Sequence, residues 1–81
     1  MGSYARARPT HIGRKLRAIR DNLRWTQTQM ADHLKLVEPR IRRSDISRFE
    51  LGVREPALLV MLAYARVGKT SMERLVDDQI E

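Results

Sequence analysis

The chain has 81 residues, with 16 lysines and arginines against 10 aspartates and glutamates, a formal charge of +6, and no cysteine. That length holds one small domain with a single modest core, and the lack of thiols excludes disulfides and thiolate metal sites. The longest apolar run, Ala57 to Ala65, has nine residues, well short of the roughly 18–20 that a membrane-spanning helix needs.

Residues 1–9 carry no apolar periodicity and read as a basic arm. Arg6 and Arg8, alternating with alanine, are candidates for entering a DNA minor groove; an idle terminus is the alternative. With no apolar segment after this polar start, there is no secretory signal, and a cytoplasmic location is expected. Residues 10–81 then form one domain. Thr10 can cap a first helix over about 11–23, where Ile12, Leu16, Ile19 and Leu23 recur on one face. Arg14, Lys15, Arg17 and Arg24 lie on the opposite, cationic side.

The second helix, about 27–37, opens on Thr26-Gln27-Thr28-Gln29, which fits a capping box. Trp25 and Met30 can form a hydrophobic staple around it, and Met30, Ala31, Leu34 and Val37 make its inward stripe. Pro39 stops it by disfavouring helical geometry at Glu38. A third helix, about 43–51, turns Ile46 and Phe49 inward and Arg42, Arg43, Ser44, Asp45 and Arg48 outward, and Gly52 suits its left-handed end. Pro56 introduces a fourth helix, about 57–67. Leu58, Met61, Leu62 and Ala65 form its core stripe, and Leu59, Val60 and Tyr64 widen it. Ser71 can cap a last helix, about 72–79, with Met72, Leu75 and Val76 inward. Strand-like alternation and internal repeats are both lacking, so the chain is expected to be all-α.

Charge is segregated along the sequence. Residues 1–54 carry a net +8 and residues 55–81 a net −2. A field directed from one half suits a polyanion better than general solubility does. Only three of the sixteen cations are lysine, and arginine's planar fork matches phosphates and guanine edges in pairs of bonds. The outward side of the third helix can neutralise phosphates and hydrogen-bond base edges, as a helix in a major groove must. Double-stranded DNA is the expected partner. Single-stranded RNA is disfavoured because no aromatic stripe is available for stacking.

Four segments in this order carry a family resemblance: Ile12-Gly13-Arg14-Lys15-Leu16-Arg17 with Leu23; Thr26-Gln27-Thr28-Gln29-Met30-Ala31 with Leu34; Ile41 with Asp45-Ile46-Ser47-Arg48-Phe49-Glu50 and Gly52; and Arg54-Glu55-Pro56 with Met61, Leu62 and Ala65. Together they resemble the Cro/phage-repressor (XRE-type) helix-turn-helix family over about residues 12–76. The resemblance implies a compact, lambda-repressor-like bundle of five helices that binds double-stranded DNA, usually as a dimer. Three departures stand out. About five extra residues, within 35–40, lengthen the turn between the second and third helices. Gly68 comes one place early, leaving Lys69 where a glycine is usual, and Arg24 replaces the glycine usual before Trp25.

By that resemblance Arg43, Ser44, Asp45 and Arg48 occupy the first, second, third and sixth positions of the recognition helix. Arg42, Ser47 and Arg54 complete the candidate DNA-facing set, Gln27 is expected to meet a phosphate, and Arg20 and Glu50 are expected to pair between helices one and three. Arg48 and Arg43 are the candidates for guanine. Asp45 can accept a bond from cytosine N4, or stabilise the start of its helix and orient Arg48. Ser44 can instead be the helix cap.

No metal or cofactor is expected: His11 and His33 are too few and too isolated for a metal site, and His33 has no Asp, Glu or Cys at ligand spacing except Asp32, which points to another helix face. Catalysis is set aside for want of a Cys/His pair, a convergent Ser/His/Asp set or a Gly-rich phosphate loop. The alternative from another class is an antitoxin or adaptor module whose main partner is a protein, suggested by the apolar excess at Leu36, Leu51, Leu59 and Val60. A homodimer through the less charged C-terminal half is expected, with Leu59, Val60, Met72 and Leu75 at its interface. Folding of the extra segment back over the fourth helix would be the other way to cover that face.

Overall fold

The computed structural model describes residues 11–77. The arm with Arg6 and Arg8 lies outside them. The cap position of the first helix is held by His11 and not by Thr10, and the last helix ends at Val76, with Asp77 already extended, and not at residue 79. Five helices follow in order: α1 Ile12–Leu23, α2 Gln27–Leu34, α3 Arg43–Leu51, α4 Leu58–Val67 and α5 Met72–Val76. The fold is all-α, as the periodicity predicts. α1 and α2 both pack on α3, while α4 and α5 close the other side of α1. The centre is filled by the fully buried side chains of Leu16, Met30, Leu34, Ile46, Tyr64 and Leu75.

Glycine decides how closely α1 meets α3. A Cβ on Gly13 would stand 2.6 Å from the Glu50 carbonyl oxygen and 2.9 Å from that of Phe49. Only a residue without a side chain lets the two backbones come this near.

The ends of the helices show where local signals suffice. Thr26 Oγ1 accepts the Gln29 amide at 3.1 Å, and Gln29 Oε1 accepts the Thr26 amide at 2.8 Å, the reciprocal pair of a capping box. At its other end α2 stops at Leu34, not at residue 37. The Leu34 carbonyl accepts the amides of both Val37 and Glu38, which closes a tight turn over 35–37. A second turn follows, with the Ile41 amide donating to the Glu38 carbonyl at 3.0 Å. Pro39 sits just inside that turn, where its fixed φ is useful. Pro39 forbids helix only at the residue before it, so it set a limit on α2 and not its end. The extra residues therefore form two consecutive turns that return the chain to the buried Ile41.

Both replaced glycines leave a mark. Arg24 ends α1 at φ 60° and Lys69 follows α4 at φ 56°, both left-handed, a region that disfavours residues bearing a Cβ. Gly52 ends α3 at φ 77° without that cost. Lys15, expected on the exposed cationic face of α1, instead caps α5: its Nζ donates to the Arg74 carbonyl at 2.7 Å and the Asp77 carbonyl at 2.8 Å. That arrangement satisfies carbonyls left open at a helix end.

Candidate nucleic-acid interface

α2, the turns over 35–42 and α3 form one unit, hung on α1 through a polar joint. Arg20 of α1 donates to Glu50 of α3 through Nε at 2.6 Å and Nη2 at 3.0 Å. Its Nη1 donates to the Trp25 carbonyl at 2.9 Å. The two-pronged bond between these largely buried side chains is the geometry that lets a buried ion pair offset its desolvation. The hydrogen bond to Glu50 raises the Arg20 pKa above its ordinary value, against the opposing effect of burial. A group raised in this way adds stability that is complete below its ordinary pKa and is lost only as pH climbs past the raised one. For an arginine that window lies far above neutrality, so the cation persists at any working pH. Beside the joint, burial and then the Glu50 carboxylate push the Tyr64 phenol up, well above its usual range, so it stays neutral.

Glu50 also accepts from Gln27 Nε2 at 3.2 Å. This ties the first residue of α2 to the joint. The second amide hydrogen of Gln27, and its main-chain N–H at the positive end of α2, remain suited to an anion.

α3 begins with Arg42 in the cap position, in extended geometry, and not with Ser44. A guanidinium has no acceptor, so the cap is supplied by Asp45, whose Oδ2 accepts the Arg42 amide at 2.9 Å. The exposed side of the helix carries Arg42, Arg43 and Arg48, with Ser44 and Ser47 half-buried between them. Arg43, Ser44, Ser47 and Arg48 share one face of α3, with Arg42 exposed at the cap position before it, while Ile46 and Phe49 anchor the other face in the core.

Asp45 departs from the expected outward placement. It is only 8% exposed, and its second oxygen, Oδ1, accepts from Arg54 Nη1 at 2.7 Å and lies 3.7 Å from Arg48 Nη1. Arg54 in turn lies over the Phe49 ring, 5.7 Å from its centroid. The paired Asp45 and Arg54 line a cleft of about 290 Å³, bordered also by Glu38, Arg40 and Arg42. Nothing in the spacing of Asp45 and Arg54 signalled this pair, because it is closed by the loop after Gly52 and not by a helical turn. Arg40, which sequence reasoning left in the extra segment without a role, is exposed at the same rim.

The expected dimer residues separate. Val60 is 3% exposed and Leu75 2% exposed, both in the core of the protomer, so neither is available to a partner. Met72 is half-buried against that core. Leu59 is 60% exposed and stands beside exposed Leu58 and, across a groove of about 380 Å³, Leu36 and Val37. The extra segment approaches α4 but leaves it uncovered, since Leu36 remains 82% exposed. His33 stacks at a tilt on Trp25, with ring centroids 5.2 Å apart. Among the described residues no group of histidine and acidic side chains could hold a metal ion, and no helix is long and apolar enough to cross a membrane.

Two helices joined by a turn, the second presenting an arginine-rich outer face and held to the body by a buried ion pair, define a helix-turn-helix protein. A family profile described as helix-turn-helix matches residues 16–75. The chain belongs to that family. Among solved structures it is similar to the P22 c2 repressor protein, determined in complex with synthetic operator 9T in the presence of Tl+. That similarity has a TM-score of 0.70 at 22% sequence identity and covers 83% of this chain and 94% of the other. A comparison with curated proteins found no match.

Proposed function

We propose that this protein is a sequence-specific, double-stranded-DNA-binding transcriptional regulator of the repressor type, which places α3 in the major groove. The observation that carries this reading is the outer face of Arg43, Ser44, Ser47 and Arg48, with Arg42 exposed at the cap, on a helix fixed from behind by the core and the Arg20–Glu50 pair. A rigid helix with forked donors on its open side suits base edges. Gln27 and the start of α2 then meet a flanking phosphate. The repressor with a bound operator among the similar structures supports the same reading. The protein is in this view a binding protein and not an enzyme, acting in the cytoplasm.

The regulator acts as a homodimer through the apolar surface of Leu58 and Leu59 with Leu36 and Val37 across the groove. Leu58 and Leu59 lie on the C-terminal half with its slight negative charge and Leu36 and Val37 are uncharged, so two copies can meet there with little charge repulsion at the contact itself. A two-fold axis at this face would present two α3 helices to half-sites about one DNA turn, roughly 34 Å, apart. Selection of bound sequences from random duplexes tests both parts. The expected result is a two-fold-related pair of half-sites, retained with a steep salt dependence. Recovery of no preferred sequence, with salt-insensitive retention, would refute the regulatory reading, and a single unpaired half-site would refute the dimer.

A further inference from the structure

We propose that Asp45 is a specificity-determining positioning residue, which withholds Arg54 from DNA phosphates and steadies Arg48 toward the bases. The inference rests on the DNA-binding reading above. A helix cap alone does not require this residue type, since serine, threonine or asparagine caps as well as aspartate, and one oxygen suffices. Here Oδ2 serves the Arg42 amide at 2.9 Å. Oδ1 is left over, and two arginines converge on it, Arg54 at 2.7 Å and Arg48 at 3.7 Å.

The carboxylate is largely buried while the side chains of Arg54 and Arg48 are more than half exposed, so the pairing is partly shielded from water and salt, more than between two surface charges. Arg54 is further held by the Phe49 ring beneath it. A guanidinium neutralised and packed in this way adds little to the sequence-independent attraction of the phosphate backbone. Without Asp45 it would be one more mobile cation beside Arg40 and Arg42 at the same rim. The negative charge itself, set at the front of the reading helix, opposes close approach to any duplex. That cost is recovered only where Arg48, held in place, finds its base partners. Asp45 thus lowers affinity for random DNA more than for the preferred site, and specificity is the difference between the two.

The test is binding of the full chain to its selected site and to a random duplex across a salt series, for wild type, Asp45→Asn, Arg54→Gln and the double variant. Asparagine keeps an oxygen for the Arg42 amide and removes the charge. Asp45→Asn is expected to bind the random duplex about 3- to 10-fold more tightly with a salt slope steeper by about one, the value of one added phosphate contact. Its ratio of specific to random binding should fall about tenfold. Arg54→Gln alone should leave the random-duplex slope near that of wild type, and in the double variant the extra slope of Asp45→Asn should disappear. Helical circular dichroism is recorded for each protein; if Asp45→Asn does not fold, Arg54→Gln still decides, because a slope shallower by about one would show Arg54 already on a phosphate and overturn the proposal. A folded Asp45→Asn variant with unchanged specificity would also overturn it, as would a double variant that keeps the full gain. Failure of the wild type to bind any duplex would instead remove the DNA-binding reading, and this inference with it.

Discussion

Replacing Gly13 by alanine should destabilise the protein although alanine is the better helix former. Gly13 is the second residue of α1, and an alanine there gains at most about 1 kcal/mol of helix propensity. Against this, the added Cβ would lie 2.6 Å from the Glu50 carbonyl oxygen, some 0.8 Å short of the 3.4 Å at which ordinary contact begins. The obstacle is backbone on both sides, so no rotamer change relieves it. α3 must withdraw from α1, at an overpacking cost of about 1–3 kcal/mol. The same withdrawal pulls on the 2.6 Å bond between Arg20 and Glu50, a charged hydrogen bond worth about 1.5–3 kcal/mol when intact. A net loss of about 2–3 kcal/mol is expected. For a domain of this size each kcal/mol shifts the melting temperature by about 4–8 °C, so thermal circular dichroism should show a drop of about 10–20 °C. Ala18→Gly, on the exposed side of the same helix, supplies the propensity scale for α1 and should cost about 1 kcal/mol. A Gly13→Ala protein that melts at or above wild type would refute the close approach of α1 and α3.

Glycine at the two left-handed positions should have the opposite effect: Arg24→Gly and Lys69→Gly are each expected to stabilise by about 0.5–1 kcal/mol, relief of the left-handed cost exceeding the added unfolded-chain entropy. Urea titration reads this directly, and a fall in midpoint for both would contradict it. Glu50→Ala leaves Arg20 buried without its partner and should cost about 3–5 kcal/mol; a loss under 1 kcal/mol in chemical denaturation would show the pair to be incidental. Arg48→Ala should cost about 1–3 kcal/mol on the preferred site and relax sequence preference, whereas equal losses on preferred and random duplexes would reduce Arg48 to a phosphate contact. Leu59→Glu, at an exposed site, should leave monomer stability within about 0.5 kcal/mol and abolish self-association in sedimentation; an unchanged oligomer would place the interface elsewhere.

Much of what is governed by neighbours three or four residues apart was legible in the sequence. The apolar repeats placed all five helices, the Thr26–Gln29 box marked the start of α2, and Gly52 marked the end of α3, because caps and amphipathic stripes are local devices. The resemblance pointed to Arg20 and Glu50, 30 residues apart, which periodicity alone could not connect. Other features needed the tertiary structure. Pro39 bounded α2 from beyond, but the Leu34 carbonyl accepting two amides set the end. Val60 appeared in excess of what its helix needs, and Leu75, inward on its helix, was also expected at a dimer interface; both are buried within the protomer because neighbouring elements pack against them. The outward reading of Asp45 was wrong: four residues before Phe49, it lies at the edge of the buried face of α3. Its burial came from a loop that returns Arg54 to it nine residues later. Helical spacing tells which way a side chain leaves its own helix, while burial and pairing depend on what the rest of the chain brings to meet it.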